Sequence, residues 1–229
     1  MSVSESRASE PLSRREAGKA ERRRQIIQAA REMIRETGNP GLSMRGLAAR
    51  AGVSLATPYN LFGSKRAIVV AVLQDVQEFR ERFSSVQAAD PVEKIFAALE
   101  IEAEFYLKDP DFYRTMWTAV FDATDRVRNE FINPKRDAFW LSLMVAAQAA
   151  GVLMPDMDPA LVLRQMEAMM RSLMFDWTVG DISSERLVPL ARHAYAMILL
   201  GASAPDWRGP LKARALEAQR ALLASPPGA

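Results

Sequence analysis

Cysteine is absent from this chain of 229 residues, so neither a disulfide nor a thiolate metal site can form. Histidine occurs once, as His193, in an apolar helical stretch, and reads as a satisfied structural side chain rather than a ligand or a base. No nucleophile elbow, phosphate-cradling glycine loop or metal-ligand spacing is present. The carboxylate pairs Asp122/Asp125 and Asp156/Asp158 read as helix caps and loop residues. These absences argue against an enzyme and against any bound metal or cofactor. An apolar signal region is missing from the polar N-terminus, which fits a cytoplasmic protein. One uncharged run, Ala138 to Met154, has 17 residues, at the lower limit for crossing a bilayer. It carries Ser142, Gln148 and Gly151 and reads as a central buried helix.

What is present is a folded-protein composition, 49% hydrophobic, in a periodicity that is helical throughout. The net charge of +2 hides an asymmetry: residues 1–80 hold 14 Lys/Arg against 8 Asp/Glu, whereas residues 81–229 hold 16 against 20. A basic first third on an acidic remainder points to a polyanion partner for the first part only. Residues 1–17 are polar and predict a disordered basic arm. Arg14, Arg15, Lys19 and the run Arg22-Arg23-Arg24 are either phosphate contacts or a solvated helix face. A helix over about 19–37 buries Ile26, Ile27, Ala30, Met33 and Ile34 and stops at Gly38.

Residues 43–66 read as two short helices joined by a tight turn. Ser43 can cap the first, Met44, Leu47 and Ala48 share one face, and Gly52 breaks it. Ser54 is the cap candidate of the second. Pro58 lacks an N–H, so this second helix begins irregularly or restarts with Thr57 as its cap. Ala51-Gly-Val-Ser54, Tyr59 and Phe62-Gly-Ser-Lys65 together resemble the DNA-binding signature of the TetR family of transcriptional regulators. Leu61 stands where that family usually has His or Tyr, and Pro58 where an aliphatic residue is common.

The resemblance implies an all-α homodimer: a helix-turn-helix domain over 18–64 and an effector-binding and dimerisation domain over 65–229. It implies double-stranded DNA and a small-molecule effector as partners. Asn60 can pair with an adenine edge, the methyls of Ala56 and Thr57 suit thymine, and Arg45 is the guanine candidate. Tyr59 and Lys65 are placed for phosphates, with Ser43, Ser54 and Leu55 completing the DNA-facing set. The expected activity is that of a repressor released by an apolar or amphipathic effector. The alternative is a ligand-free architectural or nucleoid-associated DNA binder.

Nine of the twelve methionines and all four tryptophans follow residue 81, a composition suited to an adaptable apolar site. Phe105, Tyr106, Phe112, Met116, Trp117, Phe121, Trp140, Met144, Met169, Leu173 and Trp177 are the expected effector-binding residues. Glu102, Asp122 or Arg171 could anchor a polar group. The helix over 159–179 has an apolar stripe wider than one core face requires. Met166, Met170 and Met174, with Leu190, Ala194, Met197 and Ile198 of the following helix, are therefore expected at a dimer interface. Pro189 predicts that this following helix starts late or bends.

Overall fold

The structure, a computed structural model, describes residues 14–39, 41–73, 90–121 and 134–224. They form helices α1 (Arg14–Thr37), α2 (Met44–Arg50), α3 (Ala56–Phe62), α4 (Lys65–Leu73), α5 (Pro91–Leu107), α6 (Pro110–Phe121), α7 (Pro134–Ala149), α8 (Pro159–Val179), α9 (Ser184–Ala202) and α10 (Pro205–Ala224). The fold is all-α, and the chain divides into two compact units at Val72/Leu73. The division falls before the last residue of α4 and not at residue 64. Ile68 to Val72 are all buried, and an Arg31 N–H of α1 reaches the Val72 carbonyl at 3.5 Å.

α1 begins at Arg14, earlier than expected, because its first turns are rich in Arg, Glu, Ala and Lys, which are good helix formers. The i,i+3 pair of Glu21 with Arg24, at 2.6 Å, adds a little support. Residues 14–17 of the expected arm are thus helical, and residues 1–13 lie outside the described residues. So do Asp122, Asp125 and the residues after Ala224. Ile26, Ala30 and Ile34 of α1 and Leu47 and Ala48 of α2 are buried. Arg50 closes this pair from outside, donating to Glu36 at 2.5 Å and to Glu32 at 3.2 Å. The Arg50 hydrogen bond holds the Glu36 carboxyl below its ordinary value, so the tie weakens only as acid protonates it.

In the larger unit, aspartates set two helix starts. Asp90 accepts from the backbone N–H groups of Val92 and Glu93, and Asp158 accepts from that of Ala160 at 2.7 Å. Each precedes a proline, whose missing N–H costs nothing in a first turn. α8 packs against α6, α7 and α9, and α9 packs most extensively on α10. Gly180, at φ 91°, ends α8. At the far end of this hairpin the Met154 N–H donates to the Ala202 carbonyl and the Ala204 N–H to the Val152 carbonyl, each at 2.9 Å, around a Leu153–Ser203 bridge. α9 starts at Ser184 and runs through Pro189, so the late start expected there does not occur. Among the described residues no helix is long and apolar enough to cross a membrane.

Candidate functional site

The helix-turn-helix is built by its turn. The Ser43 hydroxyl accepts from the Gly46 N–H at 3.3 Å and caps α2. At the other end the Val53 N–H returns to the Ala48 carbonyl and the Gly52 N–H to the Ala49 carbonyl. This is a Schellman closure with Gly52 at the left-handed position, φ 65°. α3 then starts without help from a side chain. Leu55 is its N-cap and makes no side-chain cap bond. The Ser54 hydroxyl lies 2.8 Å from the Thr57 hydroxyl, so neither acts as the expected cap. Pro58, buried, is the third helical residue, where its missing N–H is one of those that have no partner within a helix. The helix therefore neither breaks nor restarts there.

With Pro58 turned inward, Leu55, Ala56, Tyr59 and Asn60 are exposed. Leu55 and Tyr59 each keep 48% of their surface in water, and Thr57 is half-buried. Arg45 near the start of α2 and Lys65 at the start of α4 are also exposed. Ser64 caps α4 by accepting from the Ala67 N–H at 3.1 Å. Arg23 is a residue whose role the sequence leaves open. From α1 it donates to the Leu61 carbonyl at 3.0 Å, and its guanidinium lies 4.2 Å from the centroid of the Phe62 ring.

In the larger unit the expected effector residues fall into three groups. Phe105, Tyr106, Phe112, Trp117 and Phe121 lie in one chain of ring contacts that also takes in Tyr113 and Phe175, with centroids 4.7–5.9 Å apart. Met116, Trp140, Met144, Leu173 and Trp177 are buried. Met169 does not join them, because it faces outward with 41% of its surface exposed.

The interface residues need a larger correction. Met166, Met170 and Met174 are buried within their own chain, so they cannot present a face to a partner. The outward strip of α8 is Leu161, Gln165, Ala168, Ser172, Phe175 and Val179, all exposed and all within about 40° of one helical direction at 3.6 residues per turn. On α9, Leu190 and Ala194 are half-buried and Met197 is 49% exposed on the outward side. Ile198 lies beside them, half-buried.

Among the three suggested anchors, Glu102 is buried and already engaged. Its carboxylate accepts from Arg136 at 2.8–2.9 Å and from the Trp140 indole N–H at 3.0 Å. Burial, with Glu102 nearby, pushes the Tyr106 and Tyr195 hydroxyls well above the ordinary tyrosine range. Arg171 is exposed. A signal for Glu102 was present: Val92, Ile95, Phe96, Leu99, Glu102 and Ala103 share one helical face, so the acid occupies a core position. Arg114 carried no such signal. Its guanidinium lies 5.0 Å from the Trp177 ring centroid, its Nε is buried without a hydrogen-bond partner, and no acid pairs with it among the described residues. His193 is half-buried on α9, and among the described residues no cluster of His, Asp and Glu could hold a metal ion.

Residues 26–72 match the model of the bacterial regulatory proteins, tetR family, and the match ends where the first unit ends. No curated protein matches the chain in sequence. Among solved structures, the chain is similar to FadR of Thermus thermophilus, a transcriptional repressor in complex with lauroyl-CoA. The TM-score is 0.67 at 21% identity, covering 80% of this chain and 97% of that one. TylP, a TetR regulator from Streptomyces fradiae, gives a TM-score of 0.59 at 18% identity, covering 90% and 93%. NalD, the secondary repressor of the MexAB-OprM efflux pump in Pseudomonas aeruginosa, gives 0.56 at 21% identity, covering 83% and 99%. At these identities the likeness is one of fold.

Proposed function

We propose that this chain, whose helix-turn-helix unit is that of the tetR family of bacterial regulatory proteins, is a homodimeric transcriptional repressor released from its operator by a small apolar or amphipathic effector. The observation that carries the DNA-binding part is the exposed face of α3. A seven-residue helix whose N-cap Leu55 and whose Tyr59 are half in water, beside exposed Asn60, is a surface awaiting a partner. The basic residues flanking it suit a phosphate backbone. Tyr59 and Lys65 serve as phosphate contacts, with Ser43 and Ser54 at the backbone edge. Arg45, Ala56, Thr57 and Asn60 read bases. Each protomer addresses one half of a pseudo-palindrome, with half-sites about 34–36 Å apart or a multiple of that.

Binding-site selection with the full chain tests this reading and should recover a duplex with two inverted half-sites. Lys65→Ala should weaken that duplex and a scrambled one alike, and should make the plot of log affinity against log salt shallower by about one unit. A loss confined to the selected duplex, with the slope unchanged, would count against a phosphate role for Lys65.

The effector part rests on the run of aromatic rings from α5 through α6 to α8 and on the buried methionines of the same unit. Flat faces and adaptable thioethers accept varied apolar shapes. Arg114 is the cation a polar end would meet. A thermal-shift screen of apolar and amphipathic compounds should find ligands that raise the midpoint, since a ligand at 100 times its Kd adds about 2.7 kcal/mol. They should also weaken binding to the selected duplex. Ligands that stabilise the chain but leave DNA affinity unchanged would remove the release mechanism.

A further inference from the structure

α3 is short and poorly anchored at its own ends. Seven residues make too few internal hydrogen bonds to hold a helix in water, and its N-cap, Leu55, supplies no side-chain bond. At the C-terminus the carbonyls of Tyr59 to Phe62 have no partner within the helix. The Gly63 N–H takes that of Tyr59 at 2.8 Å, and Gly63, at φ 78°, turns the chain away. The Leu61 carbonyl is taken from outside the segment, by the Arg23 N–H at 3.0 Å. The same guanidinium covers the Phe62 ring at 4.2 Å, so one side chain of α1 grips two consecutive residues of α3. A cation at this end also suits the negative pole of the helix dipole. Its neighbour Arg24 pairs with Glu21 instead.

We infer that Arg23 is a positioning residue for the recognition helix: it sets the direction in which α3 presents Tyr59 and Asn60, and it acts on DNA through α3 rather than by holding a phosphate. This rests on the reading of α3 as the DNA-facing helix. A phosphate-binding arginine would be served nearly as well by lysine and would contribute to the salt slope. A planar clamp that donates to a carbonyl and stacks on a ring would not, because an ammonium is a point charge without a flat face.

The test uses the full chain with Arg23→Ala and Arg23→Lys. Backbone amide hydrogen exchange without DNA reads the clamp directly. In Arg23→Ala the amides of residues 60–63 should exchange about tenfold faster, with those of α2 unchanged. Affinity is then measured over a salt series for the duplex selected by the wild-type chain and for a scrambled duplex of the same length. Both variants should lose about tenfold or more on the selected duplex and less than about threefold on the scrambled one, with the salt slope unchanged. Full rescue by lysine, or an equal loss on both duplexes with a slope shallower by about one unit, would overturn the proposal and make Arg23 a phosphate contact. Unchanged exchange in α3 would overturn it as well. If the wild-type chain selects no duplex, the DNA-binding reading itself falls, and the exchange measurement still decides whether Arg23 holds α3.

Discussion

Arg136→Met will destabilise the larger unit by about 3 kcal/mol, because it removes the charge that neutralises a buried carboxylate. Glu102 keeps 7% of its side-chain surface exposed, and Arg136 24%. After the substitution the Glu102 carboxylate retains only the Trp140 N–H. Breaking one side of a buried pair typically costs about 3–5 kcal/mol, and the lower end applies here because the guanidinium keeps contact with water. Asp137 and Glu167 lie 3.7 and 3.9 Å from the same guanidinium, so the change also leaves two further acids close together. Urea unfolding at neutral pH should show the loss directly. A melt should show it as a fall of roughly 6–12 °C for a unit of this size. Replacing both charges, Glu102→Leu with Arg136→Met, should recover part of the loss, because an apolar pair needs no neutralisation, although the Trp140 N–H then loses its acceptor. A single variant within about 0.5 kcal/mol of wild type, the range of an inert surface change, would mean that Glu102 is solvated and the ion pair does not hold α5 to α7.

Val179→Glu combined with Met197→Glu will convert the proposed dimer to monomers. Both side chains are exposed in the single chain, at 54% and 49%, so the variant should still fold, losing only the stabilisation that assembly supplies. Assembled on a second copy, the outward strips of α8 and α9 would bury four carboxylates across the pair of protomers. At a cost of at least about 1 kcal/mol for each unsatisfied polar group, the dimer dissociation constant should rise by about 1,000-fold or more. Sedimentation would show the monomer, and affinity for a two-half-site duplex should drop to that for a single half-site. Met170→Glu or Met174→Glu would instead place a charge in the chain's own core and reduce stability before assembly could be measured. If the Val179/Met197 variant remains a dimer, the interface lies on another face.

The parts legible in the sequence were those governed by local chemistry. Ser43 as a cap, Gly52 as a left-handed terminator and Asp158 before Pro159 each follow from what one residue does to its own backbone neighbours. α3 was half legible. Pro58 marks a helix start, but whether Ser54, Thr57 or no side chain caps it depends on where two hydroxyls turn, and here they turn to each other. The face of α8 was not legible. Apolar residues occur on both sides of it, with Leu161, Ala168, Phe175 and Val179 outside and Met166, Met170 and Met174 inside. The width of the apolar stripe placed the three methionines at an interface, whereas they fill the interior. Arg23 and Arg136 were illegible for a related reason. An arginine within a charged run, and another at the head of an apolar helix, look the same whether they face water or a carbonyl and a carboxylate brought from 38 and 34 residues away.

The backbone bridge between residues 152–154 and 202–204 has a consequence for register. α8 and α9 are joined at one end by the short turn after Gly180 and clasped at the other by two hydrogen bonds, so neither helix can slide along the other. A single residue inserted in the middle of α8 would therefore have to be absorbed between two fixed points. One segment would rotate relative to the other by about 100°, and the strip from Leu161 to Val179 would be broken by that angle halfway along. The same clasp turns deletions in the 155–157 loop into tension rather than slack. Length changes within this hairpin should be far less tolerated than any exchange of one side chain for another on its surface.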